Sequence, residues 1–411
     1  MASTTRRDFL KTGAAVGTIA ASTPAIAKSS GQSAIVVGAG IFGLWSAFQL
    51  QASGYAVTLI DAWGPGNERS SSGGESRIIR ATYGPKRTYF DMVLRAMKLW
   101  KMYEKEWGTT IFHPCGMLWF TSPNDSYEQA ALPMLREAEV QFEVRNATDS
   151  ATRWPQINFE GVSWTIYEPD AGYLDARTAC AAIFAAFRKN GGKFVKAFAK
   201  PGQVRSGAMD GIVLSSGSVL KADAYVFACG PWLGQTFDFL KPIIRATRQE
   251  VYFFGTPEGM RSFDDTEFPV WIDNGEHIYY GMPASNSKGF KIANDVRGPV
   301  IDPTSEPRTI TEAELKGARD YLELRFPQLA DAPLLESRVC QYEAAPRDRF
   351  IIDRHPEASN AWIAGGGSGH GFKHSPVVGE IVRDAVSGIK QPPEDMSLSL
   401  ALETYKSFNK T

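Results

Sequence analysis

The sequence predicts an α/β fold, α+β overall, in which a domain with a parallel sheet is joined to a domain with an antiparallel sheet. Three observations support this prediction. A buried-strand pattern at Ser33 to Val37 runs directly into closely spaced glycines and a helical stretch. A second strand of the same character returns far downstream, within 219–232. The length of 411 residues, with 43% hydrophobic and 22% charged content, suits two packed lobes.

The first unit of the predicted fold is a strand, a glycine-rich turn, a helix and a second strand. In order, these are Ser33 to Val37, Gly38-Ala39-Gly40-Ile41-Phe42-Gly43, Leu44 to Ser53, and Tyr55 to Ile60. Gly38 makes the tight turn, Gly40 lets the backbone approach a pyrophosphate, and Gly43 allows helix and strand to pack closely. Asp61 ends the second strand, where its carboxylate can accept hydrogen bonds from ribose hydroxyls. We therefore predict a Rossmann-like dinucleotide site, with a surface glycine turn as the alternative.

The second unit is the downstream segment 219–232, which reads as a strand that opens onto a Gly-Pro turn. Such a return is typical of FAD-binding oxidoreductases, whose nucleotide domain is assembled from separated segments. We therefore expect Gly230 and Trp232 to lie at the cofactor. Taken by itself, the segment is only a buried strand.

Residues 1–27 predict a twin-arginine signal rather than part of the fold. Its elements are Thr5-Arg6-Arg7-Asp8-Phe9-Leu10-Lys11, the apolar stretch Thr12 to Ala21, and the small-residue cleavage site Ala25-Ile26-Ala27. The apolar stretch is too short to span a bilayer, so no stable membrane span is expected. We expect the Tat export machinery as a partner and a bacterial protein that is periplasmic or secreted. A basic amphipathic start to a cytoplasmic enzyme is the alternative.

The charge balance and the cysteines exclude two classes of site. Lys plus Arg is 44 against 45 for Asp plus Glu, a formal charge of -1. Removal of 1–27 takes away three cations and one carboxylate and leaves -3. This is no excess of positive charge, so nucleic acid is not an expected partner. The four cysteines lack the short paired spacing of zinc sites, so no metal is expected, and their spacing assigns no disulfide pairs. They are Cys115, Cys180, Cys229 and Cys340.

Five sequence blocks occur in an order that resembles the monomeric sarcosine oxidase and N-methyltryptophan oxidase family, within the D-amino-acid-oxidase-like flavoproteins. The resemblance covers nearly all of the chain after the leader. The blocks are Ser76-Arg77-Ile78-Ile79-Arg80 with Tyr83-Gly84, Ile278-Tyr279-Tyr280-Gly281 with Gly289-Phe290-Lys291, Val339-Cys340-Gln341-Tyr342, Phe350-Ile351-Ile352-Asp353, and Gly367-Ser368-Gly369-His370-Gly371-Phe372-Lys373.

The resemblance implies how the chain treats FAD and oxygen. It implies that Cys340 holds FAD through a thioether to the flavin 8α-methyl group. It places Lys291 near flavin N5, where a fixed positive charge favours electron transfer from reduced flavin to oxygen. Arg77 matches a residue beside the flavin. The alternatives are a buried free cysteine, a solvated lysine and an ordinary ion pair.

The resemblance also implies a carboxylate clamp. Arg80, with its planar fork, and Lys373, with its compact charge, match the pair that binds the substrate carboxylate, with ordinary ion pairs as the alternative. Tyr280 and Tyr342 are expected as pocket walls and hydrogen-bond donors, with core packing as the alternative. The glycine run before the helical stretch 376–387 is expected to stabilise negative charge on reduced flavin. Other residues implied at the cofactor are Ile41, Phe42, Ser71, Ser72, Gly367, Gly369, His370, Gly371, Phe372 and Lys373.

Four positions depart from the family pattern. Trp271 stands where sarcosine oxidases have a methionine over the pocket, and Asp295 stands where they have a histidine. Glu343 replaces a neutral residue, and Gly73 replaces a histidine. Trp271, Asp295 and Glu343 are therefore expected in the substrate pocket. The two carboxylates suggest a substrate with an additional cationic group, and surface carboxylates are the alternative.

By resemblance, the FAD-binding domain is discontinuous, over 32–114, 171–245 and 336–405. The substrate domain comprises 115–170 and 246–335, with the flavin ring at the interface between the domains. The function expected from the resemblance is oxidation of a small amino acid or N-alkyl amino acid to an imine, with reduction of oxygen to hydrogen peroxide. The partners are then a small-molecule amine and oxygen, and the chain is expected to be a monomer or small homo-oligomer.

Three alternatives remain open from the sequence. A periplasmic amino-acid dehydrogenase would keep the amine chemistry but pass its electrons to a carrier. An NAD-dependent Rossmann dehydrogenase would exchange its nicotinamide and carry no yellow chromophore. A non-catalytic flavoprotein partner of another oxidase would keep the cofactor glycines without amine turnover.

Overall fold

The computed structural model describes residues 31–285 and 288–408, so the predicted leader, residues 1–27, lies outside the described residues. The first strands are β1 (Ser33–Val37), β2 (Ala56–Asp61), β3 (Ser76–Ile79), β4 (Phe112–His113), β5 (Met117–Phe120), β6 (Glu143–Asn146), β7 (Trp164–Glu168), β8 (Gly172–Asp175), β9 (Lys193–Lys196), β10 (Ala199–Pro201) and β11 (Val204–Arg205). The later strands are β12 (Ala208–Met209), β13 (Ile212–Leu214), β14 (Val219–Leu220), β15 (Ala224–Phe227), β16 (Arg245–Phe254), β17 (Val270–Asn274), β18 (Ile278–Met282), β19 (Phe290–Asn294), β20 (Leu334–Ala344), β21 (Ile351–His355) and β22 (Ala358–Gly365).

The α-helices of the described residues alternate with these strands. They are α1 (Ile41–Ala52), α2 (Arg87–Trp107), α3 (Ser126–Glu137), α4 (Ala147–Arg153), α5 (Ala176–Lys189), α6 (Leu233–Thr236), α7 (Glu312–Arg325), α8 (Ser375–Val386) and α9 (Leu398–Phe408). Within the described ranges, none of the helices combines the length and the apolar content that crossing a bilayer requires.

A six-stranded sheet forms the first lobe, in the order β21-β22-β15-β1-β2-β9. Strand β1 lies between β2 and β15 and is parallel to both. Strand β15 is in turn parallel to β22, whereas the edge strand β21 is antiparallel. The predicted Rossmann-like unit, assembled from segments far apart in the chain, is therefore confirmed. Helix α1 packs on this sheet with Trp45 fully buried.

Close packing where β1 passes into α1 requires glycine at two positions, one in the turn and one in the helix. Gly38 has a φ of +101°, a left-handed conformation that favours glycine. A Cβ on Gly38 would lie 2.3 Å from the carbonyl oxygen of Ala228, and a Cβ on Gly43 would lie 1.8 Å from that of Gly38. Side chains at these positions would push the helix away from the sheet. Gly43 thus has the packing role that the sequence predicts.

An eight-stranded sheet forms the second lobe, in the order β20-β16-β19-β18-β17-β5-β7-β6. Its neighbouring strands are antiparallel except for β17 and β5, which run parallel. The predicted antiparallel sheet is therefore present with one parallel pairing. A cluster of buried aromatic side chains covers one face of the sheet, with α7 packed into the same cluster.

Strand β20 changes one expected boundary. The sequence assigns residues from 336 onwards to the FAD-binding domain. In the structure, β20 pairs with β16 along its length, from Leu334 opposite Phe254 to Ala344 opposite Arg245. Residues 336–344 therefore belong to the second sheet. The chain returns to the first sheet with β21.

A small antiparallel sheet, in the order β3-β8-β4, carries part of the site. Strand β3 pairs with β8, so that Arg77 lies opposite Leu174. Arg80 directly follows β3 in the sequence. This sheet fixes the backbone on which both arginines of the predicted site are placed.

Candidate active site

Two cavities lie side by side between the lobes. A groove of 920 Å³ is lined by the β1–α1 turn and by residues that follow β2, β15 and β22. A second cavity of 760 Å³ is lined largely by side chains of β3, β17, β18, β19 and β20. The two cavities share lining residues, so they meet. The shared residues are Ser70, Arg77, Tyr342, Ser368, Gly369 and Phe372.

The groove collects most of the residues predicted at the dinucleotide. These are Gly38, Gly40, Ile41, Phe42, Asp61, Ser71, Ser72, Arg77, Gly230, Trp232, Gly367, Gly369, Gly371 and Phe372. Gly43 supports the turn from behind. Cys340, His370 and Lys373, the other predicted cofactor contacts, line the second cavity instead.

Asp61 and Ser72 hold the turn through its backbone amides. Asp61 Oδ2 accepts from the amide of Ala39 at 2.8 Å, and its Oδ1 accepts from the amides that follow β2. Ser72 Oγ accepts from the amide of Ile41, at the start of α1, at 3.0 Å. The helix N-terminus therefore faces the groove with its backbone fixed, which is the arrangement that a pyrophosphate requires.

The residues present fit FAD. Bare backbone at Gly38, Gly40, Gly230 and Gly367 leaves room for a close approach along the groove. The groove then continues past Arg77 and Phe372, whose guanidinium and ring lie 5.8 Å apart, into the second cavity. An extended dinucleotide can therefore lie in the groove with its reactive ring at the junction.

Arg80 and Lys373 are buried cations in the second cavity. Arg80 is 8% exposed and Lys373 is 6% exposed. Neither side chain forms an ion pair with a carboxylate of the described residues. The Arg80 guanidinium stacks on Tyr83 at 4.5 Å and on Trp119 at 4.7 Å. Its Nη1 donates to the carbonyl oxygen of Thr82, and its buried Nε has no protein partner. This arrangement leaves guanidinium donors for an anionic ligand.

The pKa of Lys373 also fits a role in binding a carboxylate together with Arg80. Burial, and then the charge of Arg80, hold the pKa of Lys373 well below its usual range. Its Nζ donates only to the carbonyl oxygen of His370, at 3.3 Å, among the hydrogen bonds of the described residues. A ligand carboxylate would add to the opposite charge that Asp295 supplies and would favour the charged form of Lys373.

Lys291 and Arg77 meet at the backbone of Ser76. Lys291, 3% exposed, donates from Nζ to the carbonyl oxygen of Ser76 at 3.1 Å. Arg77 Nη1 donates to the same oxygen at 2.7 Å. Burial, and then the nearby Arg77 charge, lower the pKa of Lys291 to about 7. Arg77 lines both cavities, and Lys291 lines the second cavity.

Tyr280, Tyr342 and Asp295 form a hydrogen-bonded wall of the second cavity. The two phenolic oxygens lie 3.3 Å apart, and the Tyr342 hydroxyl donates to Asp295 Oδ1 at 3.0 Å. Because that hydroxyl has one proton, Tyr280 donates to Tyr342. Arg297 lies 3.7 Å from the same oxygen of Asp295. Asp295 is therefore in the cavity as expected, but the protein itself supplies a cation beside it.

Two expectations for the substrate pocket are wrong. Trp271 lies in the aromatic core and is 0% exposed, because alternation along β17 points Ile272 and Asn274 toward the cavity and Trp271 away from it. Glu343 lines the dinucleotide groove and does not line the second cavity. Glu343 therefore cannot contact a substrate in the second cavity, which weakens the expectation of an additional cationic group.

A buried chain of two histidines and a tyrosine is absent from the sequence expectations. His370 Nε2 lies 2.9 Å from the carbonyl oxygen of Asp348, so Nε2 carries the proton and Nδ1 accepts. Tyr83 then donates to His370 Nδ1 at 3.4 Å and accepts from His374 Nε2 at 2.6 Å. This chain fixes the Tyr83 hydroxyl at the cavity wall. Tyr83 and His370 stand in the sequence blocks that carry the resemblance, whereas the only sequence signal for His374 is that it directly follows Lys373.

Other cavity residues were also missed, because they lie outside the five blocks or carry no motif. They are Lys86, Trp119, Tyr127, Asn274, Arg297, Arg308, Arg338 and Asp348. All four cysteines are free in the structure. Of these, Cys340 lines the cavity near the junction.

Comparison with known proteins identifies the family. Residues 33–385 match the family described as FAD dependent oxidoreductase, DAO. The chain belongs to this DAO family. It is 33% identical over 362 residues to monomeric sarcosine oxidase from Bacillus sp. (strain B-0618), covering 85% of this chain and 90% of that protein. It is 26% identical over 370 residues to N-methyl-L-tryptophan oxidase from Yersinia pestis (strain Pestoides F), covering 89% and 98%.

A solved structure of L-proline dehydrogenase from P. horikoshii shares the fold, with a TM-score of 0.78 at 21% identity, covering 94% of this chain and 99% of that one. Membership of the DAO family confirms the predicted resemblance and the predicted class, an FAD-dependent oxidoreductase. It also supports FAD as the dinucleotide of the groove, in place of NAD.

Proposed function

We propose that this DAO-family enzyme oxidises the C–N bond of a small amino acid or N-alkyl amino acid to an imine and reduces oxygen to hydrogen peroxide. The observation that carries the proposal is the pair of buried basic side chains, Arg80 and Lys373, which form no ion pair with a carboxylate of the described residues. They line a cavity that meets the FAD groove at Arg77 and Phe372. An amine with a carboxylate matches this cavity.

Substrate binding follows from the donors of the cavity. The Arg80 fork and the Lys373 ammonium would hold the carboxylate, and this would set the position of the neighbouring α-carbon and amine. The aromatic side chains of Tyr83, Trp119 and Tyr280 would exclude water around them. Bound FAD would accept the two electrons that are released when the α C–H and N–H bonds are lost and the C=N bond of the imine forms, and the released imine hydrolyses in water.

Lys291 is the residue we assign to the oxygen reaction. It is a buried amine in the second cavity that donates to the carbonyl oxygen of Ser76, as does Arg77, which lines both cavities. In its charged form it would stabilise the negative charge that develops on oxygen as electrons reach it. The ammonium is therefore a positioning charge for oxygen rather than a base for the amine.

Covalent attachment of FAD through Cys340 is part of the proposal. Cys340 lines the second cavity next to the junction, and its thiol makes no disulfide. Formation of a thioether at the flavin 8α-methyl group would leave the flavin two electrons reduced, and oxygen would reoxidise it. Such a bond would keep the cofactor in place during export. Export by the Tat route to the periplasm is also proposed, from the Arg6-Arg7 leader.

The proposal is tested by measuring peroxide with amino-acid amines and with matched amines that lack the carboxylate. We expect peroxide only with the carboxylate-bearing member of an active pair. Turnover that needs an added electron carrier and gives no peroxide would indicate a dehydrogenase. A purified flavoprotein with no turnover in either assay would indicate a non-catalytic role. Equal turnover with and without the carboxylate would contradict the clamp.

A further inference from the structure

Glu343 is a buried carboxyl group on the wall of the FAD groove. It is 7% exposed, and its Oε1 accepts a hydrogen bond from the amide of Gly367 at 2.8 Å. Its Oε2 is buried and has no partner in the protein. A buried oxygen without a partner is costly unless a ligand supplies one.

Both carboxyl oxygens of Glu343 lie close to glycine backbone that lines or borders the groove. A Cβ at Gly365 would lie 3.3 Å from Oε2, and a Cβ at Gly230 would lie 3.8 Å from it. A Cβ at Gly367 would lie 3.0 Å from Oε1. On the Gly365 side, Oε2 therefore lies near the apolar side chains of Leu233 and Ile244, and on the Gly230 side it lies near backbone that lines the groove.

No cation balances the carboxyl group. Among the ion pairs of the described residues, Glu343 has none, and the groups that act on its charge are the amides of Gly366 and Gly367. The charge of Glu343 also raises the pKa of one nearby thiol, that of Cys229, which follows β15. Burial raises the pKa of the Cys229 thiol to about 12, so the thiol is neutral. The carboxylate of Asp61, which carries the same sign of charge as an ionised Glu343, also raises the pKa of Cys229.

A charged carboxylate in this place would repel the phosphates of FAD. Burial raises the pKa of Glu343 to about 7, against the smaller effect of the two amides. A neutral carboxyl group has a hydroxyl that can donate, whereas a carboxylate can only accept. An uncharged acid would therefore not repel the phosphates of the dinucleotide, whereas a carboxylate beside them would.

We propose that Glu343 binds FAD as a neutral carboxylic acid, with the Oε2 hydroxyl donating a hydrogen bond to an oxygen of the cofactor. The proposal rests on the FAD of the DAO family and not on oxidation of an amine. It assigns to Glu343 a role in the cofactor site, in place of the substrate contact that the sequence suggests.

The test compares the holoenzyme with Glu343→Gln, which keeps a donor without a titratable charge, and with Glu343→Ala, which has none. All three proteins also carry Cys340→Ser, so that the proposed thioether cannot retain the flavin, and flavin content per chain is measured by absorbance after purification at pH 6. We expect Glu343→Gln to retain flavin as the wild type does, and Glu343→Ala to retain less than about half, since a buried hydrogen bond is lost. Equal flavin content in the two variants would overturn the proposal.

The second measurement is the melting temperature of the holoenzyme between pH 5 and pH 8. A carboxyl group with a raised pKa in the folded state stabilises the protein at low pH, and this stabilisation is lost as the pH rises through about 7. Relative to Glu343→Gln, the wild type should lose about 2–4 °C over this range. The control Glu403→Gln, which changes an exposed carboxylate, should follow the wild type.

Parallel melting curves for the wild type and Glu343→Gln would overturn the neutral-acid assignment. Neither readout depends on turnover. If no amine is oxidised but both results are as expected, the proposed function fails and the assignment of Glu343 stands.

Discussion

The Tyr342 hydroxyl and the Asp295 carboxylate form a 3.0 Å hydrogen bond at the wall of the second cavity. Arg297 Nη1 lies 3.7 Å from the same Oδ1 atom. Burial raises the pKa of Asp295, and the Arg297 charge opposes that rise. The protein thus already supplies Asp295 with a donor and a cation, and Asp295 orients the phenol of Tyr342.

We predict that Asp295→Asn lowers kcat/KM by a similar factor, on the order of 10-fold, for neutral and for basic amino-acid amines. The reason is that the substitution disturbs Tyr342 and Arg297, which every substrate would meet. The measurement is kcat/KM over a panel matched in size, with Asp320→Asn as the surface control. A loss confined to basic amines would instead support a cationic group on the substrate.

Lys291→Met should slow the reaction of the reduced enzyme with oxygen by on the order of 100-fold, with little change in reduction by substrate. Stopped-flow absorbance separates these two half-reactions. Because burial lowers the pKa of Lys291 to about 7, the oxygen reaction of the wild type should slow as the pH rises through that value.

The matched control for this prediction is Lys288→Met. Lys288 is exposed and pairs with Glu75 at 2.9 Å, three positions before Lys291. Equal effects of the two substitutions on the oxygen reaction would contradict a specific role of Lys291.

Arg80→Lys should lower kcat/KM for carboxylate-bearing amines by about 10- to 100-fold. Lysine keeps the charge but loses the planar fork and the stacking on Tyr83 and Trp119. Steady-state kinetics with the active amino acid tests this, and the exposed Arg87→Lys is the control. An unchanged kcat/KM would show that Arg80 does not bind the carboxylate.

Cys340→Ser should release the flavin when the protein is denatured with acid, whereas the wild type should retain it on the polypeptide. The measurement is the absorbance of the precipitate and of the supernatant. Cys115→Ser, a free cysteine away from both cavities, should behave as the wild type. Flavin in the wild-type supernatant would contradict the covalent bond.

Local pattern was sufficient to predict the first lobe. The run from Ser33 to Asp61 contains its own strands, turn and helix, so the spacing of three glycines and one carboxylate placed the cofactor groove. A return strand was also recognised within 219–232, because a parallel sheet buries it on both faces, but only Ala224–Phe227 forms it, and Val219–Leu220 pairs with β13 in another sheet.

The wrong expectations concern which face of a strand a side chain occupies. Trp271 was placed by its match to a family position, but a neighbour on β17, Ile272, points to the cavity instead. Glu343 lines only the groove, whereas its neighbour on β20, Tyr342, lines both cavities. A shift of one residue along a strand moves a side chain to the other face of the sheet, and no sequence motif indicates which face it occupies.

The missed contacts join residues far apart in the chain. Arg297 and Asp348 are 51 positions apart and meet at 2.9 Å, and Tyr83 meets His374 across 291 positions. Each residue taken alone resembles an ordinary surface or core residue. Only the packing of the two lobes brings them to the cavity.

The measurement that tests the central claim most directly is an anaerobic flavin spectrum, titrated with amino-acid amines and then opened to air. The account predicts that at least one carboxylate-bearing amine bleaches the flavin band, that the band returns in air, and that hydrogen peroxide forms in equal amount. A flavin band that no neutral, basic or N-alkylated amino acid bleaches would contradict the assignment of Arg80 and Lys373 as a clamp for an oxidised amine.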